Sequence, residues 1–448
     1  MRPVHATPST VSAEVRIGDG DNARLTAHPL RAAVLGEVHA RPFTPIETPR
    51  RVLHFAFATT PERGEADRAA LSDFCAGRAV TPPKPGSKHH RVSLGVTALR
   101  WEQHSEFTTY TWELPGNDTA GTLPFHPAAA LLAQPMGFVP QPGPLLVAID
   151  LHLVGNEAPQ LDRLFDPASL AAAETSDGAA LFATDFQADP AGFVRILVTD
   201  RGFGAARAGA LVQRLIEIET YRTLALLGLP EAQRLSPSVG RIETRLAEVT
   251  EEMRRTEGFE ANHRLLDELT ALASELEAGA AASLFRFGAT RAYDEIVHLR
   301  LQTIGERAVA GHTTWAAFLA RRMAPALRTC VALQERQANL SSKLARAANL
   351  LRTRVDVELQ EQNRDLLQSM DRRTQLQLRL QATVEGLSVA AISYYVVGLF
   401  GYLVKGLHDS GVPIDPALAT AVFVPIAVLL MWWTVRRIRR RNIGTGSD

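Results

Sequence analysis

Cysteine is scarce in this sequence. Only Cys75 and Cys330 occur among 448 residues, and they lie far apart along the chain. Two distant cysteines exclude a disulfide framework and a thiolate metal site, and they favour a reducing compartment. Net charge is also missing, because 48 basic side chains balance 48 acidic ones. Since no global positive field is present, we expect no nucleic-acid partner.

The signature motifs of several enzyme classes are absent as well. The sequence has no GxxxxGK(S/T) phosphate loop, no GxSxG nucleophile elbow, no HExxH zinc motif and no CxxC pair. Gly202 and Gly204 lack the third glycine of a dinucleotide fingerprint. The sequence therefore identifies no cofactor, and whether it binds a metal is unknown.

What is present is enough apolar material for a large folded protein. Hydrophobic residues make up 46% of the chain and charged residues 21%, a balance that excludes disorder over most of the length. The length corresponds to about three domains. Residues 1–24 contain Pro3, Pro8, Glu14, Asp19 and Asp21 without the apolar segment of a signal peptide. We therefore expect a disordered tail over 1–24 and no secretory signal.

Two uncharged stretches lie near the C-terminus, at residues 386–404 and 416–435. Nineteen helical residues extend over roughly 28 Å, the thickness of the hydrocarbon core of a bilayer. The intervening segment 405–415 is short and contains Gly406, Gly411 and Pro413, so the two helices are expected to be antiparallel neighbours. The sequence predicts a two-helix transmembrane hairpin over 386–435.

The distribution of arginine residues predicts how this hairpin is oriented in the membrane. The tail 436–448 begins with Arg436 and Arg437, and Arg372, Arg373 and Arg379 precede the first span, whereas the loop between the spans holds one Lys and two Asp. Positive charge is retained on the cytoplasmic side of membranes. We therefore expect a multi-pass protein of a bacterial inner (plasma) membrane, with both termini and the basic tail in the cytoplasm.

Residues 231–385 are predicted to form a helical bundle or stalk. Between Ala324 and Gln381 there is no Gly and, after Pro325, no Pro, a composition typical of a long helix. Its apolar stripe recurs every three or four residues, at Leu344, Ala348, Leu351, Val355, Leu359, Gln362, Leu366 and Met370. Two further helices are predicted at about Pro230–Gly279 and Ala289–Arg322, with a corner at Gly279 and Gly288.

Residues 25–230 have the pattern of an α+β domain with a mixed or antiparallel sheet. Six strands are predicted, beginning at about Arg50, His90, Glu106, Gly143, Gly178 and Gly192. Helices are predicted at His28–His39, Pro61–Ala76, Pro124–Leu132 and Ala205–Leu227. The predicted fold is therefore a cytoplasmic α+β domain, followed by the helical stalk and the transmembrane hairpin.

Histidines and carboxylates cluster twice in this domain. Glu102, His104 and Glu106 follow Trp101 at alternating positions, so a continuous strand would place them on one face. Such a face is a candidate divalent-ion or proton-transfer site, although a solvated surface fits the spacing better. Glu37, His39 and Arg41 are close in sequence before a proline, where a structural corner is the simpler interpretation. These seven residues are the candidate ligand-binding residues.

Several stretches carry a resemblance to a known family. They are GEVHARPF (36–43), WEQHSEFTTYTW (101–112), LVQRLIEIETYRTLALLGLP (211–230), LLRTRVDVELQEQN (350–363) and TVEGLSVAAISYYVVGL (383–399). Together they resemble a bacterial family of predicted membrane-anchored proteins that is defined by a domain of unknown function. The resemblance covers about residues 28–437. It implies a membrane-anchored architecture and brings no established reaction.

The architecture is also similar, more distantly, to that of CorA-type magnesium channels. Those channels carry a Gly-Met-Asn signature at the outer end of the first span, where this sequence has GYLVKG at 401–406. A ring of Lys405 side chains would repel a cation entering past Tyr402. In an oligomeric pore, Ser393, Tyr394 and Tyr395 would supply the remaining polar lining.

Three functional hypotheses follow from these patterns. The first is a non-enzymatic, oligomeric membrane-anchored protein whose cytoplasmic domain binds a ligand or a protein partner. The second is a divergent CorA-like ion channel or transporter. The third is a membrane-tethered enzyme in which His104 or His39 acts with Glu106 or Glu37 as acid and base. The lipid bilayer and further copies of the chain are the expected partners.

Overall fold

The computed structural model describes residues 14–16, 24–26, 28, 30–31, 34–35, 43–116, 124–125, 135–155, 160–411 and 413–443. The chain forms two compact units. One comprises Met1–Ala247 with Ala271–Ala345, and the other comprises Glu248–Thr270 with Arg346–Asp448. The boundaries predicted at 24, 230, 385 and 435 stay predictions.

Eleven strands lie in the described part of the first unit. They are β1 (Glu14–Arg16), β2 (Arg24–Thr26), β3 (Arg50–Ala58), β4 (His89–Leu94), β5 (Thr97–Gln103), β6 (Phe107–Pro115), β7 (Leu145–Val154), β8 (Ala171–Glu174), β9 (Ala180–Thr184), β10 (Val194–Asp200) and β11 (Arg307–Ala308). Strands β1 and β2 pair as an antiparallel ribbon, which differs at 14–16 from the predicted disordered tail.

The other nine strands form one mixed sheet with the order β11-β8-β9-β10-β7-β3-β6-β5-β4. Only the pairing of β10 with β7 is parallel in this sheet. The prediction of a mixed sheet is confirmed. The prediction of one strand from His90 was wrong, because Gly95 adopts a φ of +69° and reverses the chain between β4 and β5. Only glycine adopts this left-handed conformation without steric cost.

The described part of the chain includes the helices α1 (Pro61–Ala76), α2 (Leu161–Leu164), α3 (Ala205–Leu226), α4 (Gly228–Arg255), α5 (Phe259–Ile304), α6 (Trp315–Asp409) and α7 (Pro416–Ile443). The predictions for α1 and α3 are confirmed. Thr60 caps α1 by accepting a hydrogen bond from the Arg63 backbone at 3.4 Å, with Pro61 in the first turn. The helices predicted over 28–39 and 124–132 lie largely outside the described residues.

The sheet is covered on both faces, because alternate residues of a strand point to opposite sides. On one face an aromatic cluster packs against α1 and includes Leu53, Phe55, Trp101, Tyr110, Trp112, Leu71 and Phe74. On the other face a larger cluster joins the sheet to α3, α5 and the start of α6, and includes Val52, Ala56, Ile149, Leu211, Leu215, Val297 and Trp315. This second face carries the candidate site described below.

The predicted corner at Gly279 and Gly288 was wrong, because α5 runs through both glycines. The helical region breaks instead beside Gly258, which has a φ of +102°, and at Gly305, which has a φ of +64°. A glycine within a helix lowers the stability of that helix by only about 1 kcal/mol relative to alanine, so packing of the helix overrides this cost. A glycine in the left-handed conformation instead ends the helix.

In the second unit, Arg354 Nη1 donates to the Met253 carbonyl at 2.6 Å, and Asn262 Nδ2 donates to Glu358 Oε1 at 2.9 Å. Helix α6 is continuous across Ala324–Gln381 and into the first apolar stretch, as predicted. The predicted stripe is buried at Leu344 and Leu351 and exposed at Leu359, Leu366 and Met370.

Two helices, Trp315–Asp409 and Pro416–Arg437, contain segments long and apolar enough to cross a membrane. Only 11% and 6% of their apolar windows are buried within the chain, whereas a core helix of a soluble protein is mostly buried. The rings of Phe400 and Phe423 stack with centroids 3.8 Å apart. Cys75 and Cys330 are both buried and free.

Candidate functional site

The chain reverses direction within the predicted Glu102, His104 and Glu106 cluster. Glu102 is the penultimate residue of β5, His104 and Glu106 lie in the turn, and β6 begins at Phe107. The His104 backbone N–H donates to the Phe107 carbonyl at 2.8 Å and closes this turn. The prediction that all three side chains line one strand face was therefore wrong. Glu37, His39 and Arg41 lie outside the described residues.

Trp101 lies on the opposite face of the sheet from Glu102. Its indole Nε1–H donates to Asp67 Oδ2 at 2.7 Å, and the Tyr110 hydroxyl donates to Asp67 Oδ1 at 2.6 Å. Burial raises the pKa of Asp67, and the two hydrogen bonds oppose this increase. Trp101 is thus part of the aromatic core, where its indole N–H donates a hydrogen bond to the buried Asp67 carboxyl group.

Glu106 is held by helix α5. Its carboxylate forms an ion pair with Arg286 and accepts a hydrogen bond from the Tyr293 hydroxyl at 2.7 Å. The structure therefore gives Glu106 a positioning role, because it ties the turn between β5 and β6 to α5. This engagement removes the support for Glu106 as the acid or base partner of His104.

Glu102 and His104 do share a cavity, which we call the histidine pocket. It has a volume of about 240 Å³ and lies between the sheet and α3, with Arg300 contributed by α5. Its lining is mostly polar and comprises His54, Arg100, Glu102, His104, Phe107, Thr109, Gln213, Ile216, Glu217, Thr220, Tyr221 and Arg300. The His104 ring stacks on Phe107 with centroids 4.0 Å apart.

Strand register explains which side chains form the floor of the histidine pocket. One row across three strands is Ala56, Thr109 and Glu102. The neighbouring row is His54, Thr111 and Arg100. Directly paired residues on one face have Cβ atoms about 5 Å apart. Because Ala56 is small, space remains above Thr109.

His54 is held in one neutral form. Its Nδ1 lies 2.8 Å from Thr111 Oγ1 and its Nε2 lies 3.2 Å from Thr220 Oγ1. The Thr220 hydroxyl proton is donated to the Ile216 carbonyl, so Nε2–H donates to Thr220 and Nδ1 accepts from Thr111. Burial, followed by the charges of Arg100 and His104, lowers the pKa of His54 to about 3.

A chain of polar contacts runs along the wall of the pocket. Arg100 Nη1 donates to Gln213 Oε1 at 3.2 Å, and Gln213 Nε2 donates to Glu217 Oε1 at 2.9 Å. Glu217 also forms an ion pair with Arg300. Two carboxylates and two guanidinium groups thus line the pocket, and their formal charges cancel.

Two polar atoms of the pocket have no hydrogen-bond partner among the described residues. They are Thr109 Oγ1 and Arg100 Nε. Thr109 is only 2% exposed, and it lines the histidine pocket. Arg100 Nε lies 3.4 Å from Glu102 Oε2, an ion-pair distance without hydrogen-bond geometry. A buried polar atom without a partner is unfavourable and indicates where a ligand atom fits.

The part of the chain that the structure describes contains no group of three or more His, Cys, Asp or Glu side chains able to hold a metal ion. The histidine pocket offers hydrogen-bond donors at Arg100 and acceptors at Glu102 and Glu217.

The residues considered for a pore divide into two groups. Ser393 is 5% exposed and its hydroxyl has no hydrogen-bond partner among the described residues. Tyr394, Tyr395 and Tyr402 are between 71% and 79% exposed, and Lys405 is also exposed. The buried Ser393 and the exposed tyrosines therefore do not share one surface of the isolated chain.

Sequence reasoning missed most of the histidine pocket. Signals were present, because His54 interrupts an apolar strand and Thr109 and Thr111 alternate within β6. Gln213, Glu217 and Thr220 also recur at helical spacing in α3. Their meeting depends on the lateral pairing of β3, β6 and β5, which local spacing does not contain.

Comparison with known families gives a match over most of the chain. The profile of a family described as "Protein of unknown function (DUF3422)" matches residues 26–442. No curated protein matches the chain. The match covers most of the chain and assigns no reaction to the histidine pocket.

Proposed function

Since the chain belongs to the DUF3422 family, whose function is unknown, we propose its function from the geometry described above. We propose a non-enzymatic, oligomeric membrane protein whose α+β domain binds a small zwitterionic ligand in the histidine pocket. The observation that carries this proposal is the buried Thr109 hydroxyl, which has no hydrogen-bond partner in the described part of the chain and faces a cavity lined by both acids and bases.

The proposed ligand is an α-amino acid or a molecule of similar size. A cavity of about 240 Å³ is smaller than the roughly 300–1,000 Å³ of drug-sized sites. The ligand carboxylate would accept from Arg100 Nε and Thr109, and its ammonium group would lie toward Glu102 or Glu217. A binding role is supported over catalysis because both nitrogens of His54 are already engaged.

Membrane anchoring is proposed through residues 386–404 and 416–435, which we expect to cross an inner (plasma) membrane as an antiparallel hairpin. The stacked rings of Phe400 and Phe423 support close packing of the two helices. Arg436 and Arg437 lie over the rings of Trp432 and Trp433, at 4.8 and 5.0 Å. This aromatic and basic end fits a cytoplasmic membrane interface, so both termini are proposed to be cytoplasmic.

Self-association is proposed along α6. Leu359, Leu366 and Leu380 are exposed and lie seven or fourteen residues apart, and seven residues is the period of a coiled coil. Copies anchored in one membrane share their orientation, so the proposed pairing is parallel. By light scattering in mild detergent, the purified chain should be oligomeric, and Leu366→Lys should lower its mass. Leu367→Lys, beside the stripe, is the control, and equal masses for all three proteins would contradict the proposal.

The alternative of a divergent CorA-like channel has less support. Ser393 is buried in the isolated chain, and Lys405 would place positive charge at the pore entrance. The absence of cation flux into proteoliposomes would remove this alternative.

The ligand proposal is tested with a matched pair of threonines on one strand face. Purified full-length protein in mild detergent is screened with the twenty common L-amino acids by thermal unfolding and then by calorimetry. We expect at least one to bind the wild type with saturation and Thr109→Val to weaken that binding at least tenfold. Without ligand, Thr109→Val should unfold at a higher temperature, because its buried hydroxyl costs about 1–3 kcal/mol when unpaired.

Thr111→Val is the control for that experiment. It removes the hydroxyl that donates to His54 Nδ1, so it should lower the unfolding temperature, whereas Thr109→Val raises it. Two results would overturn the proposal: no amino acid binds the wild type, or binding is equal in the wild type and Thr109→Val.

A further inference from the structure

A second cavity lies on the opposite face of the sheet, beside α1. We call it the arginine–tryptophan pocket. It has a volume of about 430 Å³, and its lining includes Arg51, Arg78, Trp112, Leu94, Leu114 and Phe138. Trp112 precedes Glu113 and follows Thr111 on β6, so it points away from the histidine pocket. The two cavities are therefore separate sites.

The first observation is a buried donor without an acceptor. Trp112 is 2% exposed, and its Nε1–H has no hydrogen-bond partner among the described residues. Trp101 on the same face donates to Asp67 at 2.7 Å, so this face provides an acceptor for one indole and none for the other. Because Trp112 lines the cavity, a ligand acceptor atom there would satisfy it.

The second observation is the charge at the pocket. Arg51 is neutralised by Asp150 through two hydrogen bonds of 2.8 Å. Arg78 forms no ion pair with any residue in the described part of the chain, and its guanidinium carbon lies 4.0 Å from the Phe74 ring centroid and 5.1 Å from that of Phe138. Among the described residues the cavity therefore carries one positive charge without an ion-pair partner, and aromatic rings hold it in place.

The third observation is the apolar character of the remaining wall. Leu94, Leu114 and Phe138 line the cavity together with Trp112. Such a wall favours a flat apolar body, whereas Arg78 and the Trp112 N–H both favour an anionic acceptor.

We infer that the arginine–tryptophan pocket binds an aromatic carboxylate. The carboxylate pairs with Arg78 and accepts the hydrogen bond of Trp112 Nε1–H, and the ring lies against the apolar wall formed by Leu94, Leu114 and Phe138. This site differs from the histidine pocket in position and in ligand class, so it does not depend on the function proposed above.

The test is calorimetric titration of the full-length protein in mild detergent with 2-naphthoate. We expect saturable binding at one site per chain. Arg78→Gln should weaken this binding at least tenfold, and Trp112→Phe should weaken it several-fold because the ring remains and the donor is lost. Arg63→Gln, an exposed arginine at the other end of α1, should change it less than twofold.

Neutral 2-naphthalenemethanol should bind the wild type at least tenfold more weakly than 2-naphthoate. Amino acids without an aromatic side chain should not compete with the probe, which separates this site from the histidine pocket. The inference is overturned if 2-naphthoate shows no saturable binding, or if Arg78→Gln and Arg63→Gln bind it equally. It is also overturned if the neutral analogue binds as tightly as the carboxylate.

Discussion

His54 is a buried base that stays neutral in the folded chain. Two threonine hydroxyls engage its ring nitrogens, and burial beside Arg100 and His104 lowers its pKa from 6.5 to about 3. An unfolded chain regains the ordinary histidine pKa. Between these two values the unfolded state binds more protons than the folded state, so the free energy of unfolding falls as the pH falls.

We therefore expect the wild type to lose about 2 kcal/mol of unfolding free energy through His54 between pH 7 and pH 5. Urea unfolding of the detergent-solubilised protein, followed by tryptophan fluorescence at both pH values, measures this loss. His54→Gln should be less stable at pH 7 but lack this part of the pH dependence. His89→Gln, which alters an exposed histidine on β4, should retain it, and a full pH dependence in His54→Gln would contradict the account.

At the scale of elements, a close backbone contact positions α3 over the sheet. A Cβ atom at Gly209 of α3 would lie 1.9 Å from the Thr44 carbonyl oxygen. The neighbouring backbone hydrogen bond joins Ile46 N–H to the Ala205 carbonyl at 2.9 Å. Glycine is required here because the segment entering β3 crosses directly over the helix. A Cβ atom at Gly240 of α4, by contrast, would have no atom within 4 Å.

These two helical glycines should respond oppositely to alanine. Gly209→Ala should destabilise the protein by about 1–3 kcal/mol, because backbone atoms must move apart. Gly240→Ala should stabilise it by up to about 1 kcal/mol, because alanine favours the helix without a clash. Urea unfolding at pH 7 compares both with the wild type, and stabilisation by Gly209→Ala would show that α3 does not contact the segment entering β3 as described.

The same contrast explains how far the elements were predictable. The helix predicted at Pro61–Ala76 was correct because its cap, its proline and its apolar spacing are all signals within the local sequence. The corner at Gly279 and Gly288 was wrong because local glycine content does not reveal which backbone angle each glycine adopts. The histidine pocket was only partly predictable, since Glu102 and His104 were recognised by spacing, whereas His54, Thr109 and Arg100 meet through strand pairing.

At the scale of the whole molecule, the two long apolar segments were predicted from composition alone and both are helical. Only 11% and 6% of their apolar windows are buried within the chain, and unburied apolar surface of this size favours an apolar partner. We propose that this partner is lipid, with the loop around Ser410 outside and both termini inside. The native thiols allow a clean test, because Cys75 and Cys330 are buried and burial raises the pKa of each.

The most direct measurement is labelling of single introduced cysteines in bacterial spheroplasts with a membrane-impermeant maleimide. Ser410→Cys should react in intact spheroplasts, whereas Ser447→Cys should react only after permeabilisation, and the wild type should remain unlabelled throughout. Reaction of Ser447→Cys in intact spheroplasts, or protection of Ser410→Cys until permeabilisation, would contradict the proposed membrane hairpin.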